Sequence, residues 1–181
     1  MNKEHKELCE SLSHTHKLMV QNGFSADPRK WRETMASLLG GQQPSTKKRG
    51  ADCYVTEAGT KVACERKSRV GQLQGNYTGI SVQKTWTEQW EYILNKKIGN
   101  CKYHFFDHIC PTTGVLVESW KLDAETLLKL MLPSLKAQHT QRMQQFRDGN
   151  PPKDPRLSFT LGSTAIRKHG AQTVKNGKRI K

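Results

Sequence analysis

No stretch of this chain approaches the roughly 20 consecutive apolar residues that a membrane span requires. The first residues, Met1-Asn-Lys-Glu-His-Lys-Glu, are too charged for a secretory leader, and no apolar segment follows them. Cysteine is sparse and odd in number, at 9, 53, 64, 101 and 110, a scatter that excludes a regular disulfide framework. Together these features predict a protein of a reducing compartment, cytoplasmic or nucleoid-associated, with no membrane partner. Acidic residues are also scarce, 16 against 30 Lys+Arg, for a formal charge of +14. Such an imbalance favours polyanionic partners, nucleic acid above all.

The 181 residues suffice for one domain with its own core. Their charge is unevenly spread. Residues 42–84 carry net +5 and residues 153–181 net +7, whereas 1–41 and 85–152 carry only +1 each. The last segment is rich in Pro and Gly and poor in large apolar residues. The expectation is a domain over 1–150 followed by a basic arm over 151–181, partly extended or disordered.

Apolar spacing predicts a helix over 3–21, with Leu8, Leu12, Met19 and Val20 on one stripe. A second helix is expected to be capped by Asp27, to begin at Pro28 and to stop at Gly40-Gly41. A hairpin follows, with strands 51–56 and 61–67 around Glu57-Ala58-Gly59-Thr60. Thr85-x-x-Glu88 forms a capping box for a third helix. Two strands fit 102–109 and 115–121. Asp123 then caps a long helix that Pro133 should kink or break. This order predicts an α/β (α+β) fold, a small mixed sheet flanked by helices.

The chemistry concentrates on the hairpin. With Glu57–Thr60 as the loop, Asp52 stands opposite Glu65, and Lys67 shares Glu65's face. Like charges directly opposed across two strands are destabilising. A divalent cation relieves that repulsion, and two carboxylates, a backbone carbonyl and waters suit Mg²⁺ or Mn²⁺. Such an ion acidifies water and offsets charge developing on phosphorus. Lys67 can then position the attacking water.

Asp52-x12-Glu65-Arg66-Lys67, preceded by Arg49-Gly50-Ala51, resembles the PD-(D/E)XK nuclease superfamily. Ala51 stands where that family often has Pro. The resemblance covers residues 50–67 in motif and about 1–146 in order of elements. It implies a restriction-endonuclease-like core and a metal-dependent endodeoxyribonuclease, type II restriction-like, that leaves 5′-phosphate ends. A Holliday junction resolvase or repair nuclease is an alternative within the same superfamily. The implied partner is double-stranded or branched DNA, and cutting both strands implies a homodimer. The implied metal ligands are Asp52, Glu65 and the Arg66 carbonyl, with Asp52, Glu65 and Lys67 catalytic. A further ligand is expected from a preceding helix, with Glu7, Glu10 and Glu33 as candidates.

Residues 68–83 are rich in amides, hydroxyls and glycine. Arg69, Gln72, Gln74, Asn76, Tyr77 and Gln83 are candidate nucleic-acid contacts there, since Gln and Asn can read adenine and Arg guanine. Lys47, Lys48 and Arg49 are candidate phosphate contacts. A competing motif, Asp107-His108-Ile109-x-Pro111 before Gly114, resembles the first half of an HNH nuclease and implies a general-base His108. The second half, an Asn and His early in the next helix, is missing. A non-enzymatic basic nucleic-acid-binding protein is the remaining reading.

Overall fold

The computed structural model describes residues 3–24, 27, 30–45 and 50–180. Helix α1 spans Lys3–Gln21 and α2 spans Trp31–Gly40. The strands are β1 (Gln43–Pro44), β2 (Cys53–Glu57), β3 (Thr60–Val70) and β4 (Gln74–Ile80). Helix α3 (Trp86–Tyr92) continues into a π-helical turn, Ile93–Lys97. Then come β5 (Tyr103–Ile109), β6 (Leu116–Asp123), α4 (Ala124–Arg147), β7 (Leu157–Gly162), α5 (Ser163–His169), β8 (Ala171–Lys175) and β9 (Lys178–Arg179).

Seven strands form one sheet in the order β1-β2-β3-β5-β6-β8-β9. Every neighbouring pair is antiparallel except β3 and β5, which run parallel. A parallel pair needs a crossover, and β4, α3 and the π-helical turn supply it. β4 pairs with β7 in a second, two-stranded sheet. It lies close over the main sheet at Gly75, where a Cβ would come within 2.1 Å of the Phe106 ring.

The main core joins Ile80, Ile93, Phe106, Leu122, Leu127, Met131, Leu135, Leu157 and Ile166. On the other face, Cys64, Arg66 and Ser68 of β3 point toward α2 and are buried. α2 ends as expected: Gly41 is left-handed (φ 74°) and its N–H returns to the Leu38 carbonyl, while that of Gln42 returns to Ser37. α1, by contrast, buries none of its residues. An apolar groove of about 370 Å³ runs between it and α2, lined by Leu18, Met19, Phe24, Trp31, Met35 and Leu38.

Four elements differ from expectation. α2 begins at Trp31, after a turn in which the Lys30 N–H donates to the Asp27 carbonyl, and Pro28 lies outside the described residues. The polar stretch 71–81 holds strand β4, because Leu73, Tyr77 and Ile80 insert into the core between glycines. α4 is one 24-residue helix despite Pro133. That proline is exposed, so water can serve the carbonyl it leaves unpaired, while buried Met131 and Leu135 anchor the helix on either side. Finally, the basic arm expected over 151–181 is structured. Leu157, Leu161, Ile166 and Val174 are buried, and β8 extends the main sheet beside β6. Few apolar residues are needed there because nearly every one faces inward.

Candidate active site

The hairpin register is Cys53↔Cys64 through Glu57↔Thr60. Asp52 therefore sits one step beyond the ladder, opposite Glu65. Its N–H donates to the Cys64 carbonyl at 2.9 Å, and its Oδ2 accepts the Arg66 N–H at 2.9 Å. A residue in a strand directs its N–H and C=O to the same edge. The Arg66 carbonyl thus lies on the edge that Asp52 occupies, past the end of β2. The other Asp52 oxygen, Oδ1, is ion-paired with the Lys30 ammonium. The Asp52 side chain is only 5% exposed.

Glu65 and Lys67 share one face of β3 and are ion-paired with each other. Burial raises the Glu65 pKa, with the Asp52 charge adding to the rise and Lys67 opposing it. Lys67 Nζ lies 5.3 Å from the centre of the Tyr77 ring. Glu65 and Lys67 line a polar cavity of about 250 Å³ with Asn76, Tyr77, Thr78, Ile80, Lys97 and Ile98. Asn76 Oδ1 is buried there without a hydrogen-bond partner.

Behind the cavity, His104 sits between two fixed groups. Its Nε2 lies 3.1 Å from the Ile98 carbonyl and its Nδ1 lies 2.9 Å from the Tyr77 hydroxyl. A carbonyl only accepts, so Nε2 carries the proton and Tyr77 donates to Nδ1. Burial pushes the His104 pKa down to about 4 and the Tyr77 pKa well up, so both stay neutral. The expected contact of Tyr77 with nucleic acid is corrected accordingly. Its ring is buried and its hydroxyl is committed to His104.

Among the three candidate helical acids, Glu33 is the one at the site. Its pKa is raised by burial and by the Asp52 charge, and its Oε2 is buried without a hydrogen-bond partner. Glu7 and Glu10 are exposed on α1, with Glu7 3.9 Å from Lys3. Among the described residues, no group of three or more His, Cys, Asp or Glu side chains is already arranged to hold a metal ion. The donor set is nevertheless hard and anionic. Two or three carboxylates and a peptide oxygen fit Mg²⁺, which commonly binds one or two carboxylates and retains waters. The orphaned Glu33 oxygen is consistent with that fit.

The other sequence candidates disperse. Gln72 and Gln74 line a second cleft, of about 420 Å³, with His108, Ser163 and Arg167. Arg69 is exposed at the end of β3. The Gln83 N–H donates to Gln89 Oε1, and its carbonyl accepts from His139 Nε2, so Gln83 ties the chain ahead of α3 to α4. Lys47, Lys48 and Arg49 lie outside the described residues.

Asp107 and His108 do not form one site. Asp107 is fully buried, accepting from Ser68 Oγ at 2.6 Å and Ser119 Oγ at 2.7 Å, with Arg66 Nε at 3.1 Å. His108 is on the opposite face of β5, with Nδ1 3.5 Å from Glu118 Oε1. Two lysines at the hairpin site escape sequence reasoning. Lys30 and Lys97 reach it through the fold from distant segments, and neither carries a local signal. Searches of protein-family models and of curated proteins found no match to this chain.

Proposed function

We propose that this protein is a metal-dependent endodeoxyribonuclease with a restriction-endonuclease-like core. The observation that carries the reading is the placement of Asp52 opposite Glu65, with Lys67 on Glu65's face at an open polar cavity. Opposing two largely buried acids is unfavourable unless positive charge compensates them. The order of elements, a helix before the hairpin, a helix after it and then further strands, also supports the reading.

Asp52, Glu65 and the Arg66 carbonyl would hold Mg²⁺ or Mn²⁺, with Glu33 as a further ligand. When bound, the ion would lower the pKa of the attacking water and offset charge on the phosphoryl oxygens. The chain's own residues do the rest. Lys67 orients the water for in-line attack, in which a water oxygen bonds to phosphorus as the bond to the 3′ oxygen breaks. The products are a 5′-phosphate and a 3′-hydroxyl. Lys97, on the same cavity, draws in the scissile phosphate. Tyr77 and His104 form its rigid, neutral wall. Arg69 and Gln74 lie further along β3 and β4, with Gln72 between the two strands, where bases adjoining the cut would pass. Cutting both strands of a duplex requires two such sites, hence a homodimer.

The test is incubation of plasmid, branched DNA and RNA with Mg²⁺. Cleavage of DNA that is lost in Asp52→Ala and Lys67→Ala proteins, shown to be folded by circular dichroism, supports the proposal. Preference for branched DNA would assign the resolvase role. Salt-dependent binding without cleavage would replace the enzyme with a binding protein.

A further inference from the structure

Lys30 belongs to no nuclease motif, yet its ammonium lies where the acids of the site converge. It is ion-paired with Asp52 Oδ1, and the charges of Asp52, Glu33 and Glu65 all act on it. Those acids come from three elements: the start of the hairpin, α2 and β3. The Lys30 side chain is 37% exposed, so it reaches in from the surface, whereas Asp52 is nearly buried. With Oδ2 held by the Arg66 N–H, Asp52 has one oxygen left, and Lys30 occupies it. Glu33 Oε2 lies buried without a hydrogen-bond partner.

Buried carboxylates need a compensating charge. Lysine is suited to a reversible one, being a point charge on a flexible four-carbon stem, unlike the planar guanidinium of arginine. We infer that Lys30 is a tethered counter-ion that holds the cation's place in the metal-free protein and withdraws when a divalent ion binds. This inference rests on the reading of the carboxylates as a metal site. Because ion and ammonium compete for the same Asp52 oxygen, Lys30 weakens metal affinity while keeping the empty site neutralised. Metal loading and the release of Lys30 are then one event.

The test measures binding rather than cleavage. Mn²⁺ is titrated calorimetrically into the full chain at one pH, as wild type, Lys30→Met and Asp52→Asn. Lys30→Met keeps the side chain's bulk and removes its charge. It should tighten Mn²⁺ binding about 10-fold or more, since the competing state is lost. Equal or weaker binding overturns the inference. In the wild-type protein, limited acetylation of Lys30, followed by mass spectrometry, should proceed several-fold faster with saturating Mn²⁺ than without it. An unchanged rate also overturns the inference, whether or not the Lys30→Met protein folds. Asp52→Asn separates the metal site from the role of Lys30. If it loses Mn²⁺ while Lys30→Met binds as wild type does, the metal site stands and the role of Lys30 falls. If Asp52→Asn binds Mn²⁺ as wild type does, or no protein binds it, both fall.

Discussion

Asp52 accepts the backbone N–H of Arg66 at 2.9 Å, across the end of the hairpin ladder. This bond replaces the next rung, which β2 is too short to supply, and fixes the carboxylate beside Glu65. The arrangement uses a strand end as the mounting for an acid. One consequence is that Arg66 serves two faces of the sheet. Its backbone is at the candidate site, while its side chain is buried beneath α2, with its guanidinium 4.7 Å from the centre of the Phe105 ring.

The buried pair of Arg66 and Asp107 is expected to be structural. Asp107→Ala leaves the Arg66 charge without its carboxylate in an enclosed network that also includes Ser37 and Ser119. Breaking a buried pair in this way costs about 3–5 kcal/mol. Urea denaturation should show that loss. The same substitution tests the HNH resemblance, because a catalytic Asp107 would lose activity at little cost in stability.

His104 predicts a pH dependence of stability. Its pKa falls from 6.5 to about 4 on folding, through burial, so the unfolded chain binds more protons between these values. Stability should therefore be fully present above about pH 6.5 and should decline as pH falls toward 4. The contribution is at most about 3–4 kcal/mol, from the size of the shift. Thermal melts across this range should show a shallower slope for His104→Gln than for wild type.

Lys97 is assigned to the phosphate rather than to the chemistry. Lys97→Ala should weaken DNA binding with a smaller fall in the single-turnover rate. The slope of log affinity against log salt should become shallower by about one unit, as for one lost phosphate contact. Fluorescence anisotropy over a salt series measures it.

Pro133 occupies the interior of α4 on its exposed side. A proline in a helix interior costs about 3 kcal/mol relative to alanine. Pro133→Ala should stabilise the protein by about 1–3 kcal/mol, by restoring the N–H donor that proline lacks. Chemical denaturation gives the value, and cleavage should be unaffected.

Where local chemistry decides an element, the sequence declares it. The Thr85–Glu88 capping box is present with both its bonds, at 3.2 and 3.0 Å, and Asp123 accepts the Thr126 N–H at 2.7 Å. The hairpin register followed from a four-residue turn and a period of two, which is why Asp52, Glu65 and Lys67 could be placed beforehand. Long-range contacts were not legible in the same way. β4 looks like a polar, glycine-rich loop and β8 like part of a polar arm, because each is held by one or two inward side chains against partners far along the chain. Tyr77 looked like a surface aromatic because its hydroxyl partner, His104, is 27 residues away. Lys30 joins the site only through the packing of the folded chain, and no local pattern announces it, whereas Glu33 was one of three acidic candidates that only the packing of α2 against β3 separates from Glu7 and Glu10.

Whether the opposed acids and Lys67 cut DNA is decided by the initial rate of plasmid cleavage in Mg²⁺ for wild type, Asp52→Asn and Lys67→Ala, each checked for folding by circular dichroism. Cleavage by wild type and a loss of about 100-fold or more in both variants are expected, the scale of removing a group that acts on the transition state. Folded variants that cleave at the wild-type rate would contradict that role.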